Sequence, residues 1–193
     1  MNFYKAKKYI LDRLKNELPN YLRYHGYHHT FDVFERTIEI ASQEGINSED
    51  DLTLLKTAAL YHDSGFLSVY KGHEEASCLL VRDILPKYDY NEEQIEKICG
   101  MIQATKIPQE PKNNLEEIIA DADLDYLGRS DFYSIANSLY EELSSLEVVK
   151  TEEEWNRIQV NFLEQHHFFT KTCINKRKAE KEKRLMELKK LVD

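Results

Sequence analysis

Proline and glycine are scarce in this chain of 193 residues, which holds 4 Pro and 6 Gly. That scarcity removes a many-turned β-sandwich, a collagen-like chain and a Pro/Gly-rich disordered segment from consideration. Cysteine is also sparse: Cys78, Cys99 and Cys173 are odd in number and share no paired spacing. Neither a disulfide framework nor a thiolate zinc site is expected from them. No apolar run approaches the roughly 18 residues that a membrane span requires. The opening MNFYKAKKYILDRLKNEL is interrupted by charge throughout, so no signal peptide and no membrane partner are expected, and the cytoplasm is the expected compartment. Positive charge is in deficit as well, with 26 Lys and Arg against 35 Asp and Glu and a formal net charge of −9. Nucleic acid is therefore a poor candidate partner, because binding it rests on an excess of cations over phosphates. Residues 171–190 reverse the trend with nine Lys or Arg against three Glu. They read as a basic helix face that is solvated and offsets an acidic body.

What the chain does have is helical periodicity. Hydrophobic residues make up 41% and charged residues 32%, and the apolar positions recur at steps of three and four nearly everywhere. Ile10, Leu11, Leu14 and Leu18 mark a first helix that ends at Pro19. A second is expected from about His28 to Glu44, stopped by Gly45, and a third from Ser48 through LTLLKTAALYHD to Gly65. Further helices are expected at about 73–85, 91–105, 115–127 and 130–146. Thr151 with Glu154 has the spacing of a capping box, opening a long helix with a break near His166 before EKRLMELKKLV. No alternating strand pattern, internal repeat or Gly-rich phosphate loop competes. The expected architecture is a single all-α domain over 1–193, with about seven or eight helices and a long C-terminal helix. Its core is placed at about 20–130, and 131–193 form a helical extension.

Four features carry chemistry. Tyr24-His25-Gly26-Tyr27-His28-His29-Thr30 sets His25 and His29 four residues apart, on one face if the stretch is helical. His62-Asp63 closes an apolar helix, and as helical neighbours they would point about 100° apart. His73 lies in Lys71-Gly72-His73-Glu74-Glu75, and Asp121-Ala122-Asp123 follows the apolar pair Ile118-Ile119. Imidazole plus carboxylate without thiolate suits a divalent cation: Mn, Fe, Co, Ni, Zn or Mg. Such a cation lowers the pKa of bound water and polarises a phosphoryl oxygen.

A His in YHxxxHT, a His-Asp doublet after an apolar helix and a downstream Asp in an ADL segment, in that order, resemble the HD-domain superfamily of metal-dependent phosphohydrolases. The string YHGYHHTFDV also resembles the YHNxxHAxDV segment of cyclic-nucleotide phosphodiesterases. The matching segments run from about Tyr24 to Arg129, roughly half the chain. The resemblance implies an HD-like helical bundle and metal ligation by His29, His62, Asp63 and one carboxylate of the DAD segment. Alignment of Ala122-Asp123-Leu124 with the family's ADL favours Asp123, with Asp121 the alternative or a supporting carboxylate. His25 falls where the phosphodiesterases place a proton donor, and Asp63 would also help to orient water. Two departures stand out. Gly26 replaces the phosphodiesterase Asn, and between His73 and His166 there is no His, where binuclear members have further ligands. One metal is expected, with His73, Glu74 or Glu75 the only evident aid to a second.

Lys106 and Arg129, with Lys71, are candidate phosphate contacts, weighed against a solvated role. His28 lies off the His25/His29 face, and His166 and His167 beside Phe168-Phe169 read as packing. The expected activity is hydrolysis of a phosphate ester, mono or di, in which the substrate is a small phosphorylated metabolite, a nucleotide among the candidates. Two alternatives are a regulatory module that binds metal or nucleotide without turnover and an HD-fold di-iron oxygenase. A homodimer formed through the apolar stripe of Leu185, Met186, Leu188, Leu191 and Val192 is compatible with either an enzyme or a module.

Overall fold

A computed structural model describes residues 1–192. Among them the chain forms nine α-helices and three short 3-10 turns, with no strand. The helices are α1 Phe3–Glu17, α2 Tyr27–Gln43, α3 Glu49–Tyr61, α4 His73–Ile84, α5 Glu92–Ala104, α6 Asn114–Asp123, α7 Phe132–Ser145, α8 Glu152–Gln165 and α9 Lys171–Lys189. None of the described helices is long and apolar enough to cross a membrane.

Local sequence sets most of the starts. The Asn2, Ser48, Asn91, Asn113, Thr151 and Thr170 side chains each accept a hydrogen bond from a backbone N–H of the first turn that follows, relieving donors that the helix itself cannot pair. Asn91 and Gln94 form a reciprocal capping box. The box expected at Thr151 is only half made. Thr151 Oγ1 accepts from Glu154 N, but the Glu154 carboxylate reaches back to Lys150 N instead.

α3 is the central helix. Leu55, Ala58, Ala59, Leu60 and Tyr61 are fully buried, and α3 packs against α1, α2, α5 and α6. That all-round apolar character is why its sequence shows so wide a hydrophobic face. The long helix expected after Thr151 breaks at His166, at the expected point, and counting its halves separately gives nine. His166 leaves α8 with extended backbone, and Thr170 opens α9. The break is held from outside: the Asp121 carboxylate of α6 accepts from Phe169 N (2.9 Å), Thr170 N (2.8 Å) and Thr170 Oγ1 (2.6 Å). On the other side, the buried Lys181 ammonium of α9 donates to the Leu163 carbonyl (3.0 Å) and to the His166 carbonyl, closing the C-terminus of α8 with a cation.

Candidate metal centre

α3 stops at Tyr61, four residues short of the expected end at Gly65, and this early stop makes the site. Gly65 lies against the start of α4 so closely that a Cβ there would sit 2.0 Å from the His73 carbonyl oxygen. The backbone turns into a 3-10 segment, Ser64–Leu67. Ser77 Oγ of α4 accepts from Gly65 N (2.7 Å) and donates to the His62 carbonyl (2.7 Å), and Ser64 Oγ donates to the Tyr61 carbonyl (2.7 Å), so two hydroxyls satisfy the buried end of α3. Asp63 therefore lies outside helical geometry, at φ −101° and ψ 8°. The 100° divergence expected of neighbouring helical residues no longer separates it from His62. His25 also precedes its helix, because α2 begins at Tyr27, and it is placed by tertiary contacts rather than by sharing a helical face with His29.

Three helix ends and the first turn of α2 bring the expected groups together. His29 Nε2 stands 3.1 Å from Asp123 Oδ1, 3.4 Å from His62 Nε2 and 3.5 Å from Asp63 Oδ2. His62 Nε2 is 3.2 Å from Asp63 Oδ2 and 3.5 Å from Asp123 Oδ1. Ligand atoms of His29, His62 and Asp123 all lie within 4.8 Å of one another. His62 Nδ1 donates to the Ala59 carbonyl at 2.9 Å, which leaves Nε2 aimed into the cluster, where it offers a lone pair once its proton is displaced. Asp63 Oδ2 is buried and has no hydrogen-bond partner.

A buried carboxylate oxygen facing two imidazoles and a second carboxylate is an arrangement that positive charge completes, whether a proton on an imidazole or a bound cation. Burial opposes ionisation of Asp63, yet His62 holds its pKa well below the usual carboxylate range. Burial likewise opposes ionisation of Asp123, but His29 and His62 bring it down to about 2. His62 is held well above the imidazole range against burial, chiefly by Asp63. The same negative field acts on any cation at this point. Mixed N and O donors without thiolate fit a divalent transition metal or zinc.

Beside this set lie His73 and Glu74. His73 Nε2 is 3.4 Å from Asp63 Oδ1 and 3.6 Å from Glu74 Oε1. Its pKa is raised above the usual value, with burial opposed by Asp63. Phe66 is sandwiched between two imidazoles, with ring centroids 4.0 Å from His73 and 4.3 Å from His25.

The functional group that sequence reasoning missed is Glu142 of α7. It is completely buried. Its carboxylate accepts from Tyr24 N (2.9 Å), His25 N (3.1 Å) and Tyr70 Oη (3.0 Å), and it meets His25 Nδ1 at 2.5 Å. Burial opposes its charge, but His25 leads the contacts that hold its pKa below the usual value. The available signal was an acidic residue on the apolar stripe of Phe132, Ala136, Leu139 and Leu143.

Other candidates are placed elsewhere. Asp121 faces away from the cluster into the α8–α9 connection, where burial pushes its pKa up to about 6 despite the donors from Thr170 and Phe169. The Lys106 ammonium meets Glu75 (2.5 Å), both of them exposed. The Arg129 guanidinium is paired with Asp32 (2.7 Å) and Asp131 (2.7 Å). His28 and His167 are exposed, and His166 packs edge-on against Phe168. From the cluster opens a cavity of about 220 Å³, lined on that side by Tyr24, His25, Asp63, His73, Glu74 and Asp123. Neither Lys106 nor Arg129 lines it.

Imidazoles and carboxylates converging at one point of an all-helical scaffold define a candidate metal centre beside a partly open pocket. The model of the HD domain matches residues 26–125, over half of the chain, and the chain belongs to the HD domain family. The match contains His29, His62, Asp63 and Asp123. The fold is shared with the crystal structure of a predicted HD superfamily hydrolase from an uncultured Thermotogales bacterium. That protein is 22% identical over 96% of this chain and 88% of its own, with a TM-score of 0.60. Among curated proteins no match is found.

Proposed function

We propose that the chain is a metal-dependent phosphohydrolase that cleaves a phosphate ester of a small molecule. The observation that carries this reading is the buried, unpartnered Asp63 Oδ2 facing His29 and His62. Membership of the HD domain family supports it, as does the description of the Thermotogales structure as a predicted hydrolase.

His29, His62, Asp63 and Asp123 would hold the cation. A divalent ion so held supplies a water of lowered pKa and a Lewis acid for a phosphoryl oxygen. The protein's own part is positional. Asp63, with Oδ1 directed toward His73 and Oδ2 toward the ligand set, orients the attacking water. His25 is the proton donor to the departing oxygen. With Nδ1–H given to the Glu142 carboxylate, its Nε2 is the nitrogen left to carry and release the proton. Tyr24 and Phe66 pack on the His25 ring at 4.7 Å and 4.3 Å between centroids and fix its plane.

The test is hydrolysis of a panel of phosphate mono- and diesters by the wild type and Asp63→Ala, each supplemented with one divalent metal at a time. Calorimetric metal titration of both proteins runs in parallel. Wild-type turnover that the variant loses, together with tight metal binding, is the expected result. Equal activity in the two proteins would overturn the proposal.

A further inference from the structure

The cavity beside the cluster has a second wall, and its chemistry narrows the substrate. Leu127 and Phe132, on either side of the connection into α7, line it with Leu139 and Leu143 of α7 and Trp155 and Phe162 of α8. Trp155 is braced from outside by Tyr140, at 6.0 Å between stacked ring centroids. Among the described residues that line the cavity there is no Lys and no Arg, whereas three carboxylates, of Asp63, Glu74 and Asp123, do line it. The polar side chains on the far side are few: Thr105 Oγ1 donates to the Ile102 carbonyl (2.8 Å), and Gln159 Nε2 donates to Asn156 Oδ1 (3.3 Å).

We propose that the ester taken here carries a single phosphoryl group on a compact apolar alcohol or phenol, whose hydrocarbon part fills the space between the cluster and α7–α8. The inference rests on the phosphohydrolase reading and adds the substrate class. A second phosphate would meet three carboxylates and, apart from a cation held by the cluster, only the imidazoles of His25 and His73, with no Lys or Arg to pair with it, which is costly at short range in a medium of low polarity. A sugar's several hydroxyls would be set mostly against Leu, Phe and Trp, with few partners. A hydrocarbon group meets neither penalty and gains by leaving water. Size agrees. An apolar cavity of about 150 Å³ stays dry and takes benzene, so the volume of about 220 Å³ here suits a group somewhat larger than one ring.

Trp155 is the single tryptophan of the chain, so its emission reports on this wall independently of turnover. In the experiment, the full chain loaded with Mn²⁺ is assayed on phenyl phosphate, hexyl phosphate, ribose 5-phosphate and ADP. Trp155 emission is titrated in parallel with 1-hexanol. The expected kcat/KM for the phenyl and hexyl esters exceeds that for ribose 5-phosphate by on the order of 100-fold, the worth of burying a few methylenes. ADP turns over more slowly still, and hexanol shifts the emission saturably. Ile158→Lys puts a cation at the cavity on a half-exposed helix position, where folding tolerates it. This change should cut the preference at least tenfold and weaken hexanol binding. Ala136→Phe, on a buried lining position, should abolish the hexanol response, and Ile158→Lys decides the matter if that variant does not fold. Turnover of ribose 5-phosphate or ADP within tenfold of hexyl phosphate, with emission unmoved by hexanol, overturns the inference and leaves the phosphohydrolase reading standing. A saturable hexanol response with no ester cleaved supports the apolar occupant and overturns the hydrolytic reading.

Discussion

Asp63 presents its two oxygens to different partners, Oδ2 to His29 and His62 and Oδ1 to His73. Because Oδ2 faces the ligand set, replacing Asp63 should cost the protein its metal. Asp63→Asn is expected to raise the Kd for Mn²⁺ at least 100-fold, by calorimetry. The melting temperature without metal should fall as well, because the buried His62 loses the carboxylate that offsets its charge. Asp121 should leave metal binding alone. Asp121→Ala removes the acceptor of the hydrogen bonds that anchor the start of α9, and leaving those buried donors unpaired costs about 2 kcal/mol. At about 2–4 °C per kcal/mol for a chain of this size, Tm should fall by roughly 4–8 °C with Mn²⁺ affinity unchanged. For Glu142→Gln the split is between binding and turnover. The amide still fills the space under His25 but no longer offers its Nδ1 a carboxylate, so kcat should fall about 100-fold or more. KM and metal affinity should hold. Unaltered kcat would remove Glu142 from the mechanism.

At the level of elements, the site is a meeting of helix ends. α3 delivers His62 and Asp63 where it stops, α6 delivers Asp123 at its last residue, α4 delivers His73 at its first, and α2 delivers His29 in its first turn. Helix ends can do this because their backbone leaves regular geometry there, so neighbouring side chains are released from the 100° step. The α3 stop depends on Gly65. In Gly65→Ala the methyl group would meet the His73 carbonyl at 2.0 Å, and backbone rather than a flexible side chain must yield. Overpacking of this kind costs about 3 kcal/mol, so a drop of roughly 6–12 °C in Tm is expected. Because the strain falls between Asp63 and His73, metal affinity should fall with it. A full-affinity Gly65→Ala protein would show that α4 does not set the geometry of the doublet. Much at this scale was legible beforehand. Ser48, Asn91 and Thr151 are short polar residues ahead of apolar-periodic segments, and each caps a helix start. The early end of α3 was not legible, because HDSG continues an excellent helical pattern and only the approach of α4 forbids it.

Across the whole molecule, α9 ties the extension to the HD region. It packs on α8 and on the 3-10 turn Asp125–Gly128, and Gly128 lies so close that a Cβ would be 2.4 Å from the Arg177 carbonyl oxygen. Arg177 Nε donates to the buried Asp125 at 2.7 Å. Under this joint His166 is mostly enclosed. Burial, and then Lys181 at 3.4 Å, lower its pKa from 6.5 to about 3. The unfolded chain therefore takes up a proton below pH 6.5 that the native state refuses, and stability present above that pH is lost as the pH falls toward 3. One pH unit below an unperturbed imidazole corresponds to about 1 kcal/mol. Chemical denaturation at pH 7.5 and 5.5 should show wild type losing about that much more than His166→Gln. Equal losses would place the pH sensitivity elsewhere.

The one-dimensional chain by itself determined the all-helical class, most helix boundaries within a residue or two, and the residue types of the cluster. Helical periodicity and caps are written in steps of three and four residues, and imidazoles and carboxylates without thiolates already limit the chemistry. Tertiary structure alone decided which carboxylate of the DAD segment faces the two imidazoles and which ties down α9. It also decided that Glu142, 117 positions from His25, lies beneath that ring, that Lys106 and Arg129 are drawn off by surface acids, and that the space beyond the cluster is hydrocarbon. Those outcomes depend on which helix ends meet. That is settled by packing between segments about a hundred residues apart, and no local pattern records it.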